Sequence, residues 1–354
     1  MTARLRVNLS ALAANYRTIA TAVDAAGAVV KADAYGLGAL PVSTALLAAG
    51  CRDFFVANGA EALQLLAALQ DSESAGQFPD LRVFCFAGPT AENASALAQA
   101  RVVPVINHPE QLGFWRPHRE LPIAVHVDTG MMRLGFTPAE LQPAVLEGFR
   151  PTLLLTHFAC ADDPDAVLNG EQLERFRAVS ARFPDVPVSL GNSAASMAMA
   201  DSVQGLARPG IALYGGRALR AADSSMQPVA SFEAQVIQLR SLAAGDSVGY
   251  GATWVAPRAA KIAIVGAGYA DGVRRALSNR GEAFCREQSL PVVGRVSMDL
   301  TAVDVTDADV RLGDWVEWFG LQQPLAAVAD QLDTIDYEVL TSIGPRVRRE
   351  YFSG

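Results

Sequence analysis

The sequence predicts an α/β protein in two parts: an N-terminal (β/α)8 barrel of the TIM type over residues 1–225 and a C-terminal, mainly β domain over residues 226–354. Three observations carry this. Short apolar and β-branched runs alternate with Ala- and Leu-rich stretches through the first 215 residues, the alternation stops after Met226, and 354 residues exceed one ordinary core.

Eight runs supply the barrel strands, at residues 29–31, 54–57, 81–86, 102–106, 123–127, 153–157, 186–190 and 210–214. The segments between them are long enough for crossover helices. One example places Glu61, Leu65 and Leu69 at helical spacing behind the capping residue Asn58. Ahead of the first strand, Ser10 is expected to cap a helix carrying Leu12, Tyr16 and Ile19, and the first few residues are free to pack with the second domain. An open, doubly wound sheet is the competing arrangement. Beyond a linker at 218–227, turns bound strands at 229–239, 262–267, 292–296, 301–305 and 315–319, and one amphipathic helix covers 325–335.

Composition narrows the function. A net charge of -8 offers no basic face for nucleic acid. No apolar run approaches the roughly 20 residues that span a bilayer. Asn8 and Ser10 interrupt the N-terminus before a signal sequence develops. Cys51, Cys85, Cys160 and Cys285 show no CxxC spacing, so buried thiols in a reducing cytoplasm are expected. Gly266 to Gly272 lacks dinucleotide spacing, and Asp162, Asp163 and Asp165 read as a solvated loop; no metal site is expected.

The stretch GAVVKADAYG, residues 27–36, ends an apolar run on a lysine. The chain holds 29 Lys plus Arg, yet only Lys31 and Lys261 are lysines. Where any cation would serve, this sequence uses arginine; a lysine adds a deprotonatable amine that can form a Schiff base. In a barrel, chemistry gathers at the C-terminal strand ends. Lys31 falls there, as do Asp128, Arg133, His157, Ser193, Arg208 and Gly210.

The motifs VVKADAYGLGA, DTGMMRLGF, THFACAD, NSAAS, RPGIALYG, VGYGATW, GYADG and VGRVSMD occur in this order over nearly the whole chain. Together they resemble the alanine racemase family. The resemblance implies a cytoplasmic homodimer with pyridoxal phosphate as cofactor, an active site shared between subunits, and interconversion of L- and D-alanine that supplies D-alanine for peptidoglycan. It makes Lys31 the cofactor's anchor and the base on one face of the substrate, with Tyr250 of the partner subunit as the base on the other. It places the cofactor phosphate on the amides of Gly210 and Ile211 and the hydroxyls of Ser193 and Tyr35, and Arg208 at the pyridine nitrogen. It also puts His157 near the cofactor. It further implies that Arg133 holds the substrate carboxylate, that Met298 and Asp299 form a cross-subunit contact near it, and that Tyr269, Arg275, Asp271 and Asp162 line the entrance. Racemisation needs this layout, because a proton leaves Cα on one face and returns on the other.

Three positions depart from the family pattern. His126 stands where many members carry a carbamylated lysine, which leaves Arg133 to pair with a carboxylate, a neutral imidazole or, as expected here, a solvent anion. Leu37 replaces a common histidine. Pro345 stands where a tyrosine hydroxyl for the phosphate is expected. A racemase of serine or of broader specificity and a barrel-fold decarboxylase are the alternative readings. The decarboxylase lacks its cysteine-bearing loop here, and a pyridoxal-phosphate carrier without activity would need no second domain.

Overall fold

Strands Ala28–Val29, Asp53–Val56, Arg82–Cys85, Val103–Ile106, Pro122–His126, Arg150–Leu155 and Val188–Ser189 pair in sequence order as one parallel sheet. The computed structural model describes residues 2–71, 79–220 and 225–353. The strands read as nearly unbroken apolar runs because helices cover one face and the barrel interior the other. Phe54, Phe55 and Phe84 are fully buried among them, each contributing about 1.5–3 kcal/mol by leaving water.

The eighth strand is Leu206–Ala207, which pairs in parallel with Ala25–Ala26. Gly27 N donates to Ala207 O and Val29 N to Pro209 O, both at 2.9 Å, so the curve closes and an open sheet is excluded. The strand expected at 210–214 is instead a 3-10 turn, Ile211–Tyr214. Its physical cause is Ser193: the amides of Gly210 and Ala212 donate to Ser193 Oγ at 2.8 and 3.3 Å rather than to a neighbouring strand.

The first helix, Leu9–Ala20, buries Leu12, Tyr16 and Ile19 as expected, but its cap is Asn8, whose side chain accepts from Ala11 N at 3.0 Å. Helix Gly59–Gln70 is capped by Asn58 as its sequence predicts.

In the C-terminal part, Ala230–Leu242 pairs with Ala260–Val265 and Trp315–Phe319, and Ala260–Val265 pairs with Thr301–Asp304. The N-terminal strand Ala3–Asn8 joins this sheet, antiparallel to Ala230–Leu242 and parallel to Arg348–Phe352. No strand forms at 292–296. Gly294 there has φ +77, and the amides of Gly294 and Val296 turn to Asn279 Oδ1 and Ser278 Oγ. A hairpin of Glu282–Cys285 and Gln288–Pro291 precedes it. The single helix expected at 325–335 is two, Leu325–Gln331 and Asp336–Thr341, broken where Asp333 takes φ +53.

Of the linker at 218–227, residues 221–224 lie outside the described residues. Arg220 before them pairs with Asp162 and Asp163. Gln227 after them donates through its amide to Asn15 Oδ1 at 2.8 Å. Cys51, Cys85 and Cys285 are buried, Cys160 is half-buried, and all four are free thiols. Among the described residues no helix is long and apolar enough to cross a membrane.

Candidate active site

The first strand stops at Val29, and Val30 N still bonds Phe55 O before the chain leaves the sheet at Lys31. Ala32, Asp33, Ala34 and Tyr35 then take φ values of +53, +54, +52 and +57. Four successive non-glycine residues in the left-handed region cost about 1–2 kcal/mol each. Hydrogen bonds offset that cost. Ala34 N reaches Val30 O and Gly36 N reaches Ala32 O, at 2.9 and 2.8 Å. Glu61 Oε1 accepts from Ala32 N at 3.0 Å while its Oε2 accepts from Ala57 N at 2.8 Å. The Asp33 carboxylate accepts from Ala39 N at 2.6 Å.

The turn carries Tyr35 back over the barrel end. Its ring packs 4.7 Å from that of Tyr214, and its hydroxyl reaches Gly210, where an added Cβ would lie 2.3 Å from it. Lys31, Tyr35, Arg133, His157, Ser193, Arg208, Gly210 and Ile211 line one cavity of about 390 Å³. The fold thus brings together eight residues expected to share a site.

The cavity is cationic but holds few protons to give. Burial, and then the Arg133 charge, lower the Lys31 pKa, with Glu61 pulling the other way. Burial lowers the fully enclosed Arg208 to about 10, which leaves it charged at neutral pH, and its guanidinium donates to Ser189 Oγ and Thr156 O. His157 falls well below the ordinary imidazole value through burial and the charge of Arg208. His126 falls to about 4 for the same two reasons. Both imidazoles are therefore neutral near pH 7.

Arg133 is presented by a loop that Asp128 folds. The Asp128 carboxylate accepts the backbone amides of Gly130, Met131, Met132 and Arg133 at 2.9–3.1 Å. Burial alone would raise its pKa, and these amides more than reverse that. Among the described residues the Arg133 side chain makes no hydrogen bond or ion pair. It faces the cavity with its charge unspent.

Tyr250, Tyr269, Arg275, Met298 and Asp299 are elsewhere. They line a second cavity of about 350 Å³ that shares no residue with the first, and Tyr250 is 72% exposed. Asp271 is buried and lines neither cavity; it forms an ion pair with Arg346 at 2.7 Å, and Arg346 also pairs with Asp299 at 2.7 Å. Asp162 is held by Arg220 and lines neither cavity.

The sequence reading missed Tyr337. It lines the first cavity from helix Asp336–Thr341, with its ring 5.7 Å from Tyr35, and burial raises its hydroxyl to about 12. A phenol therefore does reach the barrel cavity from the C-terminal part, but not from position 345. Pro345 sits in the turn that Val347 N closes on Gly344 O. Leu37, in place of histidine, is fully buried core.

Residues 7–218 match the alanine racemase N-terminal domain and residues 229–351 the alanine racemase C-terminal domain. The chain belongs to the alanine racemase family. Its sequence is 42% identical to the alanine racemase of Rhodospirillum rubrum over 99% of this chain and 96% of that one. It is 41% identical to the catabolic alanine racemase of Agrobacterium fabrum, over 98% and 91%. Among solved structures, the alanine racemase of Bartonella henselae with covalently bound pyridoxal phosphate superposes with a TM-score of 0.92 at 37% identity. That match covers 99% of this chain and all of the other. The biosynthetic alanine racemase of Pseudomonas aeruginosa gives 0.86 at 34% identity, with 99% of each chain covered.

Proposed function

We propose that the chain interconverts L- and D-alanine using pyridoxal phosphate held in the barrel cavity, in a cytoplasmic homodimer whose sites draw on both subunits, and so supplies D-alanine for peptidoglycan. The observation that carries this reading is a half-buried lysine with a lowered pKa, facing the same cavity as two guanidinium groups and the glycine backbone at Gly210.

The residues present fit the cofactor. Lys31 offers an amine whose burial favours the neutral, nucleophilic form. At Gly210 the missing Cβ lets the Tyr35 hydroxyl stand against the backbone, with the Ser193 hydroxyl on the Gly210 amide, a group of small donors suited to a phosphate. Arg208 would meet the pyridine nitrogen with N–H donors only, since it holds its proton at neutral pH. When bound, pyridoxal phosphate supplies the electron sink that acidifies the substrate Cα–H.

The remaining work falls to side chains. Arg133, unpaired and facing the cavity, takes the substrate carboxylate and sets which face of Cα meets Lys31. Lys31 Nζ accepts the proton on that face and returns it in the reverse direction. Tyr250 of the partner subunit delivers and accepts the proton on the other face, with Met298 and Asp299 beside the carboxylate and Tyr269 and Arg275 at the mouth. The neutral rings of His126 and His157 add no competing acid at neutral pH.

Borohydride reduction of the holoenzyme followed by peptide mapping tests the assignment. The cofactor label belongs on the peptide containing Lys31, alongside racemisation of alanine in both directions. A label on Lys261, whose Nζ lies 3.5 Å from Val310 O and which lines neither cavity, would overturn it.

A further inference from the structure

The left-handed turn that follows Lys31 is gripped from the second domain as well as from the barrel. Arg349, on the C-terminal strand Arg348–Phe352, places Nε and Nη2 at 3.1 and 3.0 Å from Gly36 O. Its remaining N–H groups donate to the carbonyl oxygens of Ile343, Gly344 and Val347 at 2.7–3.0 Å. All five bonds go to backbone carbonyls, and among the described residues this half-buried guanidinium forms no ion pair. Two residues along the same strand, Tyr351 donates its hydroxyl to Leu37 O at 2.9 Å.

The packing is as close as the bonding. A Cβ at Gly36 would lie 2.9 Å from Leu340 O, and one at Gly38 would lie 2.1 Å from the Tyr351 hydroxyl. Both glycines have positive φ, +83 and +102, so neither site tolerates another residue on steric or backbone grounds. The C-terminal strand and the helix Asp336–Thr341 therefore mould the exit of the turn, while Glu61 holds its entry at Ala32 N.

We propose that Arg349 and Tyr351 are positioning residues for the lysine: by clamping Gly36 and Leu37 they keep residues 32–35 left-handed, and so fix where Lys31 and Tyr35 stand in the cavity. The reasoning is mechanical. A left-handed run of L-residues does not support itself, and releasing the carbonyl at its far end lets it relax toward the right-handed region. Relaxation swings the Lys31 amine and withdraws the Tyr35 hydroxyl from Gly210. Substrate carboxylate binding is spared, because Arg133 rides on a loop folded by Asp128 and not on this turn. The inference rests on the function proposed above.

Arg349→Met keeps an unbranched side chain about as long as the arginine's stem and removes all five donors. In the holoenzyme its kcat is expected to fall about tenfold or more, with KM for alanine changed less than about twofold, because a sub-ångström to ångström displacement acts on the reacting amine. Hydrogen exchange at the amides of residues 32–38 should speed by about tenfold, with the rest of the C-terminal sheet unchanged. Arg349→Lys, with fewer donors, should restore part of kcat. Tyr351→Phe, losing one hydroxyl, should move both readouts in the same direction by less, and it decides the matter if Arg349→Met does not fold. Unchanged kcat and exchange in a folded variant, or faster exchange spread evenly through the C-terminal sheet, would overturn the proposal. Absence of alanine racemisation in the unaltered enzyme would instead sink the functional reading, and the exchange measurement would still report whether the clamp holds.

Discussion

His126 Nδ1 lies 2.9 Å from Asn107 Oδ1, and Asn107 is not free to turn its amide round. Its Nδ2 donates to Phe86 O at 3.0 Å and Val105 O at 2.9 Å, so Oδ1 must accept and His126 Nδ1 must donate. The ring is neutral with its proton on Nδ1, and Nε2 remains as an acceptor on a residue that lines the cavity beside Arg133.

This arrangement predicts how stability varies with pH. Burial and the charge of Arg208 bring His126 from an ordinary value near 6.5 to about 4 in the fold. Between these values the unfolded chain binds a proton that the folded chain refuses, so stability falls as pH falls, by about 1.4 kcal/mol per pH unit for one such group. The contribution is fully present above pH 6.5. Urea unfolding at fixed protein concentration should show His126→Gln less stable than the unaltered enzyme at pH 7 but losing less between pH 6.5 and 4. Equal losses in the two proteins would mean that His126 is charged in the fold.

A neutral imidazole forms no lasting carbamate, and Arg133 has no protein partner among the described residues. Activity is therefore expected to be the same in bicarbonate-free and bicarbonate-supplemented buffer. It should respond to replacing chloride with a bulky anion at constant ionic strength, since a small anion can sit beside the guanidinium. A requirement for bicarbonate would contradict the first expectation, and indifference to the anion the second.

Much of the site was legible because each barrel residue follows its own apolar run: Lys31, Arg133, His157, Ser193 and Arg208 lie at or just past the ends of separate strands. What escaped depends on contacts far apart in sequence. Glu61 supports Ala32 across 29 residues and Arg349 supports Gly36 across 313, and no local pattern marks either. Tyr337 was hidden because its helix starts just beyond the break at Asp333 and has no side-chain cap to announce it. The helix start at Asn8 rather than Ser10 shows a similar limit. Both residues cap well, and the choice falls to where the preceding strand ends.

Gly210→Ala tests the phosphate surface. The backbone there has φ -129 and ψ -87, and the substitution adds a methyl where another group already stands. Its methyl would lie 2.3 Å from the Tyr35 hydroxyl, and that ring cannot swing away because it is packed between Tyr214 and Tyr337. Cofactor affinity should fall by about tenfold or more, equivalent to about 1.4 kcal/mol, as read by fluorescence titration of the cofactor-free protein. Unaltered affinity would mean that the phosphate does not approach Gly210.

The separation of Tyr250 from Lys31 gives the most direct test of a shared site. In one chain the two residues line different cavities, and Tyr250 is largely exposed, so a two-base mechanism needs the partner subunit to bring the phenol to the lysine. Lys31→Ala and Tyr250→Phe should each be almost inactive alone, while Tyr250→Phe keeps its cofactor absorbance. In a dimer of one chain of each kind, one site receives both defects and the other receives neither. Random exchange makes half of the dimers mixed, each with one intact site of two, so the mixture should recover about a quarter of the activity of the unaltered enzyme per chain. A site built within one chain predicts no recovery, because every site would then carry one defect or the other. Exchange confirmed by mass spectrometry with activity still absent would therefore refute the shared site.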